Sequence, residues 1–265
     1  MNAVMFPHHV ETLKRTVEHF QHEPGVAAVL LVGSIAHGFA QESSDVDIAL
    51  VISDEEYRER AANNRLAITR HDLATYEHGY VDGKYISPAF LDAVERRGSE
   101  PARFAFAHAQ VAYGNIPGLE QQLQNIARYP LTEKTARMQR FAAQMQAWNW
   151  YVAQAALRSD AYLLNLAVSK LTLFAGRLIL AHNELLFPYH KWFFRVLEQA
   201  PDQPEGFVEG LRELNRAPSA SAAATLYERV KSFHAWPTDT VAWPDRFLRD
   251  SELTWLAGQA PIDDL

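Results

Sequence analysis

The chain has 265 residues, a formal net charge of −7 and no cysteine. Its length allows one large or two modest domains, and an apolar content of 48% is ample for a packed core. The absence of cysteine excludes a disulfide framework, thiolate metal sites and cysteine nucleophiles. An acidic balance without a dense basic stripe argues against DNA or RNA as a partner, whereas cationic small molecules and metal-neutralised nucleotides are compatible with it.

The first residues show no basic region followed by a long apolar one, so we expect no secretion signal and a cytoplasmic location. The most apolar segment, 161–182, is interrupted by Lys170 and Arg177, so we expect it to be too polar to span a membrane. We therefore expect a helix buried in a bundle, and no membrane partner. Because a buried charge needs a partner, these two cations are expected to pair with acids or to reach phosphates.

In chain order, the first predicted elements are an amphipathic helix over 10–22, a strand over 26–32 and, after a glycine-bounded turn, a strand over 45–52. Gly33 opens this turn and allows the backbone to approach a ligand closely. The amides and the hydroxyl around Ser34 can hold phosphate oxygens, especially if a short helix begins there. The turn is therefore a predicted phosphate site.

Two carboxylates begin the second of these strands. Asp45 and Asp47 are two residues apart, so both side chains are expected on one face of the strand. Mutual repulsion of the two charges is relieved by a divalent cation, and oxygen ligands favour Mg²⁺. Gly33-Ser34, ten intervening residues, and then Asp45-x-Asp47 leading into an apolar strand resemble the signature of the polymerase-beta-like nucleotidyltransferase superfamily.

The resemblance implies a third carboxylate on a strand beside the acid pair. The segment 79–87 alternates like a strand, and within it we choose Asp82 for this role. Asp72 and Glu77 are competing candidates in less strand-like surroundings, and Asp82 with the glycine after it could instead form a hairpin turn. Lys84 would share a face with Asp82, where it could contact a phosphate, pair with the acid or remain solvated.

Helices within 88–109 and a short strand over 110–114 complete the first half of the chain. We place a catalytic domain over 1–116 and a helical, acceptor-binding domain over 117–265. The predicted fold class is α+β, with a small mixed sheet flanked by helices and then an all-helical bundle.

The second half has helical periodicity throughout. Its predicted helices cover 131–159, 161–183, 207–215, 225–233 and 245–257, and the small residues 218–224 are interpreted as a connector. Lys191 lies among aromatic residues and is either a phosphate or nucleobase contact or a solvated surface lysine. Neighbouring Trp192, Phe193 and Phe194 could serve a homodimer.

This helical half resembles the arrangement in kanamycin and other aminoglycoside nucleotidyltransferases, whose helical domain is of the HEPN type. The resemblance implies transfer of a nucleoside monophosphate from an NTP, expected to be ATP, to a hydroxyl of a small-molecule acceptor. Pyrophosphate would be released. In that scheme Asp45 and Asp47 hold Mg²⁺, and Gly33 and Ser34 bind the outer phosphates. Asp82 completes the metal's ligand shell or takes the acceptor proton.

Two alternatives stay open. Arg177 and His182 form an R-x4-H pair that resembles the ribonuclease motif of HEPN toxins, so the chain could be a fused toxin–antitoxin-type protein acting on RNA or protein. It could also be an inactive nucleotide-binding module. His37, inside the phosphate turn, is expected to be a solvent-exposed loop residue, although the phosphates would be within its reach.

Overall fold

The protein is described by a computed structural model that covers residues 5–258. The chain divides into two compact units between Arg128 and Tyr129. The first unit contains a five-stranded mixed sheet with helices, and the second is helical. The predicted α+β fold class is confirmed.

The strands of the first unit are ordered β3-β4-β2-β1-β5. Its elements are α1 (Pro7–Phe20), β1 (Ala28–Leu31), α2 (Gly33–Ala36), β2 (Val46–Val51), α3 (Asp54–Ala62), β3 (Ala67–Arg70), β4 (Val81–Ile86), α4 (Pro88–Arg97), α5 (Glu100–Phe104), β5 (Gln110–Gly114) and α6 (Leu119–Ile126). β2 and β4 run parallel, whereas the other neighbouring strands pair antiparallel. The sheet therefore places the start of β2 beside the start of β4.

Both faces of this sheet are covered, which explains why β1 is apolar at every position. Because side chains alternate along a strand, Val29 joins a core that includes α1. Leu30 joins the opposite core, together with Leu91 of α4 and Ile126 of α6. Since α6 packs into this core, the first compact unit extends beyond the boundary predicted at residue 116.

The second unit is organised around two long antiparallel helices, α7 and α8, which pack against each other. Its helices are α7 (Lys134–Arg158), α8 (Ala161–His182), α9 (Phe193–Leu197), α10 (Phe207–Arg216), α11 (Ala220–Phe233) and α12 (Trp243–Phe247). A π-helical turn at Leu248–Glu252 and a 3₁₀ turn at Thr254–Ala257 follow α12.

Two predictions for the helical unit are wrong in detail. Residues 220–224 of the supposed connector 218–224 belong to α11, because Ser219 caps that helix by accepting a hydrogen bond from the Ala222 amide. The small residues that follow are mostly alanines, which have the highest helix propensity. The tail predicted as one helix over 245–257 is instead divided among α12, the π-helical turn and the 3₁₀ turn.

In the part of the chain that the structure describes, α8 is long and apolar enough to cross a membrane by length and composition alone. This corrects the expectation that Lys170 and Arg177 would make it too polar. Half of its apolar stretch is buried in the protein, as in the core helix of a bundle. The Arg177 guanidinium lies over the rings of Phe141 and Phe187, at 4.3 and 4.7 Å from their centroids.

Candidate active site

The glycine of the phosphate turn is required by its surroundings. Gly33 follows β1 with a φ of 67°, in the left-handed region that favours glycine. A Cβ atom at this position would lie 1.9 Å from Oδ2 of Asp47. The amide of Val32 also donates to the backbone oxygen of Asp47 at 3.0 Å. The Asp47 carboxylate therefore lies directly against the backbone of the turn.

Ser34 is the next residue, in the first turn of α2. Its side chain is only 4% exposed, and its hydroxyl has no hydrogen-bond partner within residues 5–258. A buried hydroxyl without a partner costs free energy. The first N–H groups of a helix also lack partners within the helix. The turn thus offers hydrogen-bond donors that suit an anion such as phosphate.

Asp82 lies inside β4, so the alternative of a hairpin turn at this position is wrong. In the parallel pairing of β2 and β4, Asp82 is in register with Asp47. Neighbouring strands are about 4.8 Å apart, so the two acids lie side by side. On the other flank, the hydroxyl of Thr69 in β3 donates to Oδ1 of Asp82 at 3.2 Å. The sheet thus places Thr69, Asp82 and Asp47 in one row.

Asp45 lies one residue before β2. The amide of the next residue, Val46, donates to the backbone oxygen of Tyr80 at 3.1 Å. The charge of Asp45 is the largest cause of a raised pKa at the Tyr80 phenol, with burial, hydrogen bonding to Asp45 and the charges of Asp82 and Asp47 adding to it. All three charges act on one phenol, and the register of Val46 with Val81 and of Asp47 with Asp82 places the carboxylates at the same end of the sheet.

Lys84 is two residues beyond Asp82 on β4, and its environment reflects the same cluster. Desolvation lowers the pKa of Lys84 below its usual range, and the charges of Asp47 and Asp82 partly oppose this. Its ammonium lies 5.7 Å from the ring centroid of Phe106. Lys84 is thus a cation at the acid cluster, and its assignment to a phosphate stays a prediction.

Without a bound nucleotide, the carboxylates provide only some of the oxygen ligands that a Mg²⁺ ion requires. Within residues 5–258, no three His, Cys, Asp or Glu side chains converge closely enough to hold a metal ion by themselves. Protein sites for Mg²⁺ commonly use one or two carboxylates and complete the octahedron with phosphate oxygens and water. The row of Asp47 and Asp82, with Asp45 nearby, meets this requirement when a nucleotide supplies the remaining oxygens.

The competing candidates for the third carboxylate have other contacts. Asp72 receives two hydrogen bonds from Arg70, at 2.8 and 2.6 Å, and these hold the pKa of Asp72 down at about 2. Glu77 is 88% exposed and lies 3.5 Å from His78. Of the three candidates, Asp82 is the one in register with Asp47.

His37 is half-buried, which corrects the expectation of a solvent-exposed loop residue. Its ring stacks on Phe104, with centroids 4.3 Å apart and an interplanar angle of 19°. Burial, followed by the nearby charge of His108, lowers the pKa of His37 to about 4. The imidazole is therefore neutral near pH 7. Its burial depends on α5, which is remote in sequence, so the local pattern gives no signal for it.

The remaining predicted residues lie in the second unit. Lys191 is exposed, and its ammonium is 5.0 Å from the ring centroid of Trp192. Its assignment as a nucleotide contact stays a prediction. Phe193 is buried, and a Cβ atom at Gly176 would lie 2.3 Å from its ring. This corrects the interpretation of Phe193 as a residue available to a dimer surface.

The histidine of the R-x4-H pair has partners within the helical unit. His182 forms a 2.6 Å contact through Nε2 with the carboxylate of Asp202. Its ring centroid lies 4.4 Å from that of His234 and 5.7 Å from that of Trp236. These contacts join the end of α8 to the loop after α9 and to the segment after α11.

The second unit also contains a groove of about 1110 Å³ between α7, α8 and the segment that follows α12. Its aromatic lining residues are Trp148, Tyr151, Tyr162, Phe174, Phe247 and Trp255. Asp250, Glu252 and Lys170 also line it, and the carboxylate of Asp250 is paired with Arg140 at 2.9 Å. Such a combination of ring faces and a few charged groups is typical of small-molecule sites.

The chain is similar to the crystal structure of a nucleotidyltransferase-like protein from Exiguobacterium sibiricum 255-15, with a TM-score of 0.48 and 10% sequence identity. That similarity covers 94% of this chain and 79% of the other. No curated protein matches the chain. Residues 14–79 match the family model described as "Polymerase beta, Nucleotidyltransferase", which includes Asp45 and Asp47 and ends before Asp82. Residues 14–79 are therefore similar to the nucleotidyltransferase domain of the polymerase-beta family.

Proposed function

We propose that the protein is a Mg²⁺-dependent nucleotidyltransferase of the cytoplasm. It would transfer a nucleoside monophosphate from ATP to a hydroxyl of a small-molecule acceptor and release pyrophosphate. The observation that carries this proposal is the register of Asp47 beside Asp82, next to the tight turn at Gly33. The turn at Gly33 and a pair of carboxylates are thereby brought to one end of the sheet.

The turn binds the outer phosphates in this proposal. The hydroxyl of Ser34 donates to a phosphate oxygen and so gains the partner that it lacks within the described residues. The amides at the start of α2 donate to neighbouring oxygens. The ammonium of Lys84 would neutralise further phosphate charge. These groups orient the triphosphate for displacement at its α-phosphorus.

Asp45, Asp47 and Asp82 would hold Mg²⁺, which supplies neutralisation of the phosphate charge when bound. The acceptor oxygen forms a bond to the α-phosphorus as the bond from that phosphorus to the pyrophosphate oxygen breaks. The hydroxyl proton leaves to a carboxylate, and Asp82 is our choice for this base. Its neighbour Thr69 donates to one oxygen of Asp82 and leaves the other free to accept.

For the acceptor, we propose a cationic compound such as an aminoglycoside-like molecule, bound by the helical unit. The groove in that unit is lined by aromatic residues and by Glu252, whereas Asp250 is paired with Arg140. Aromatic faces and carboxylates both attract cations. The net charge of −7 acts in the same direction over a longer range.

The first test compares thermal stability with each NTP, with and without Mg²⁺. A ligand that binds only the folded protein stabilises it by about 2.7 kcal/mol at 100 times its dissociation constant. We expect ATP with Mg²⁺ to raise the melting temperature of the wild type, and the double variant Asp45→Asn/Asp47→Asn to lose this shift. The matched control Glu18→Gln/Glu55→Gln removes two charges from exposed positions and should keep it.

Absence of a shift with every NTP would contradict the proposal. A nucleotide shift that needs neither Mg²⁺ nor the two aspartates would favour an inactive nucleotide-binding module. That second candidate is supported by one observation, the lack of three converging metal ligands within residues 5–258. Turnover separates the two functions, because only the enzyme releases pyrophosphate when acceptors are screened.

A further inference from the structure

We propose that His9 and Tyr76 are positioning residues that fix Asp45 for metal binding, an inference that rests on the proposed function. Both residues bind the backbone carbonyl of Ser44, the residue immediately before Asp45. Nε2 of His9 lies 2.9 Å from this oxygen, and the hydroxyl of Tyr76 donates to it as well. The carbonyl belongs to the peptide group whose nitrogen is that of Asp45.

The contact with the Ser44 carbonyl determines which ring nitrogen of His9 carries the proton. A carbonyl oxygen only accepts hydrogen bonds, so Nε2 of His9 must carry the proton. The side chain is 0% exposed, and its other nitrogen, Nδ1, is buried without a hydrogen-bond partner within the described residues. Burial of a polar group with one unsatisfied atom costs free energy. The imidazole therefore commits its one donor to the Ser44 carbonyl.

The backbone on the other side of Asp45 is also held. The amide of Val46 donates to the backbone oxygen of Tyr80 at 3.1 Å. Asp45 itself precedes the regular part of β2, so the ladder of the sheet does not fix both of its peptide groups. With the preceding carbonyl held by His9 and Tyr76, the peptide groups on both sides of the carboxylate are immobilised.

The loop before Asp45 has further contacts of the same kind. The amide of Ser44 donates to the backbone oxygen of Gln41 at 3.0 Å, and the Ser44 hydroxyl accepts from the Gln41 amide at 2.9 Å. Nε2 of His8 lies 2.9 Å from the backbone oxygen of Glu42. The start of α1 and the segment before β4 thus hold a closed turn that ends at the predicted metal ligand.

The experiment is a titration of Mg²⁺ at a fixed, saturating concentration of ATP, with thermal stability as the binding readout. Groups that orient a metal ligand usually contribute 10–100-fold to metal affinity. We expect Tyr76→Phe and His9→Met each to raise the Mg²⁺ midpoint by about tenfold. His9→Gln retains a donor near the position of Nε2 and should restore a midpoint close to that of the wild type.

Thr75→Val is the matched control. The Thr75 hydroxyl donates to the backbone oxygen of His8 at 3.0 Å and lies 2.9 Å from the hydroxyl of Thr12, so it joins the same two segments without contacting Ser44. It should lower the melting temperature of the ligand-free protein without moving the Mg²⁺ midpoint.

A role in stability alone would give this same result for Tyr76→Phe and His9→Met, and would overturn the inference while the proposed function stands. A wild type without any Mg²⁺-dependent response to ATP would remove the proposed function and this inference together.

Discussion

Polar side chains have different surroundings at the acid end of the sheet and in the helical unit. At the sheet, Asp47 and Asp82 lie next to each other, and the buried hydroxyl of Ser34 has no partner among the described residues. In the helical unit, Arg246 donates to both carboxylate oxygens of Asp239, at 2.7 and 3.1 Å. These bonds hold the pKa of Asp239 below its usual range.

The difference separates groups that are paired within the protein from groups that we propose to serve a ligand. Like charges on adjacent strands repel, and an unsatisfied buried hydroxyl costs free energy, so the arrangement at the sheet lowers the stability of the ligand-free protein. Natural proteins retain such unfavourable arrangements mainly at functional sites. A paired arginine and aspartate needs no ligand.

Asp82→Asn should have the largest effect. The amide keeps the shape of the side chain and its contact with Thr69 but removes the negative charge beside Asp47. We expect the Mg²⁺ midpoint for stabilisation by ATP to rise more than about 100-fold. Removing a residue that binds the metal directly should reduce metal affinity more than removing a residue that only orients such a ligand. Melting curves recorded across a Mg²⁺ series measure this change.

Asp72→Asn is the control for that variant. It removes a carboxylate of the same unit whose bonds go to Arg70, so the Mg²⁺ midpoint should not move. If Asp72→Asn or Glu77→Gln shifts the midpoint while Asp82→Asn does not, the third carboxylate has been assigned wrongly.

Gly33→Ala tests the approach of the turn to the acid cluster. A non-glycine residue in the left-handed region costs about 1–2 kcal/mol. The new methyl group would also overlap the Asp47 carboxylate, because the Cβ position lies 1.9 Å from Oδ2. We expect a lower melting temperature and at least about a tenfold weaker response to ATP with Mg²⁺, as expected for a displaced ligand.

Gly206 in the helical unit provides a matched comparison for Gly33. Its φ is 63°, against 67° for Gly33, and nothing lies within 4 Å of a Cβ built there. Gly206→Ala should therefore lower the melting temperature by a similar amount and leave the response to ATP unchanged. Equal loss of nucleotide binding in both variants would mean that strain, and not overlap with Asp47, explains the effect at Gly33.

The parts of the site that follow from local periodicity could be predicted from the sequence. The strands predicted over 26–32 and 45–52 are present as β1 and β2, because apolar runs next to a glycine turn specify strands without help from the rest of the chain. The position of Asp82 beside Asp47 depends on the pairing of β2 and β4. No local pattern specifies that pairing, and the family resemblance supplied the expectation of a neighbouring acid.

The supporting contacts could not be predicted in this way. His9 and Tyr76 reach Ser44 from 35 and 32 residues away, and neither residue lies in a motif. Burial of His37 depends in the same way on Phe104. Tertiary packing creates these environments, so sequence periodicity carries no information about them.

Asp202→Asn should have the smallest effect and tests the ribonuclease alternative. Asp202 is 63% exposed and contacts His182, and the amide retains the size of the side chain. Since exposed ion pairs contribute about 0–1 kcal/mol, we expect little change in melting temperature and an unchanged response to ATP with Mg²⁺. If the pair is structural, neither the wild type nor the variant should cleave RNA. Cleavage by the wild type that is lost in both Asp202→Asn and His182→Asn would show that the helical unit has its own chemistry, and the contrast between the two units would then no longer hold.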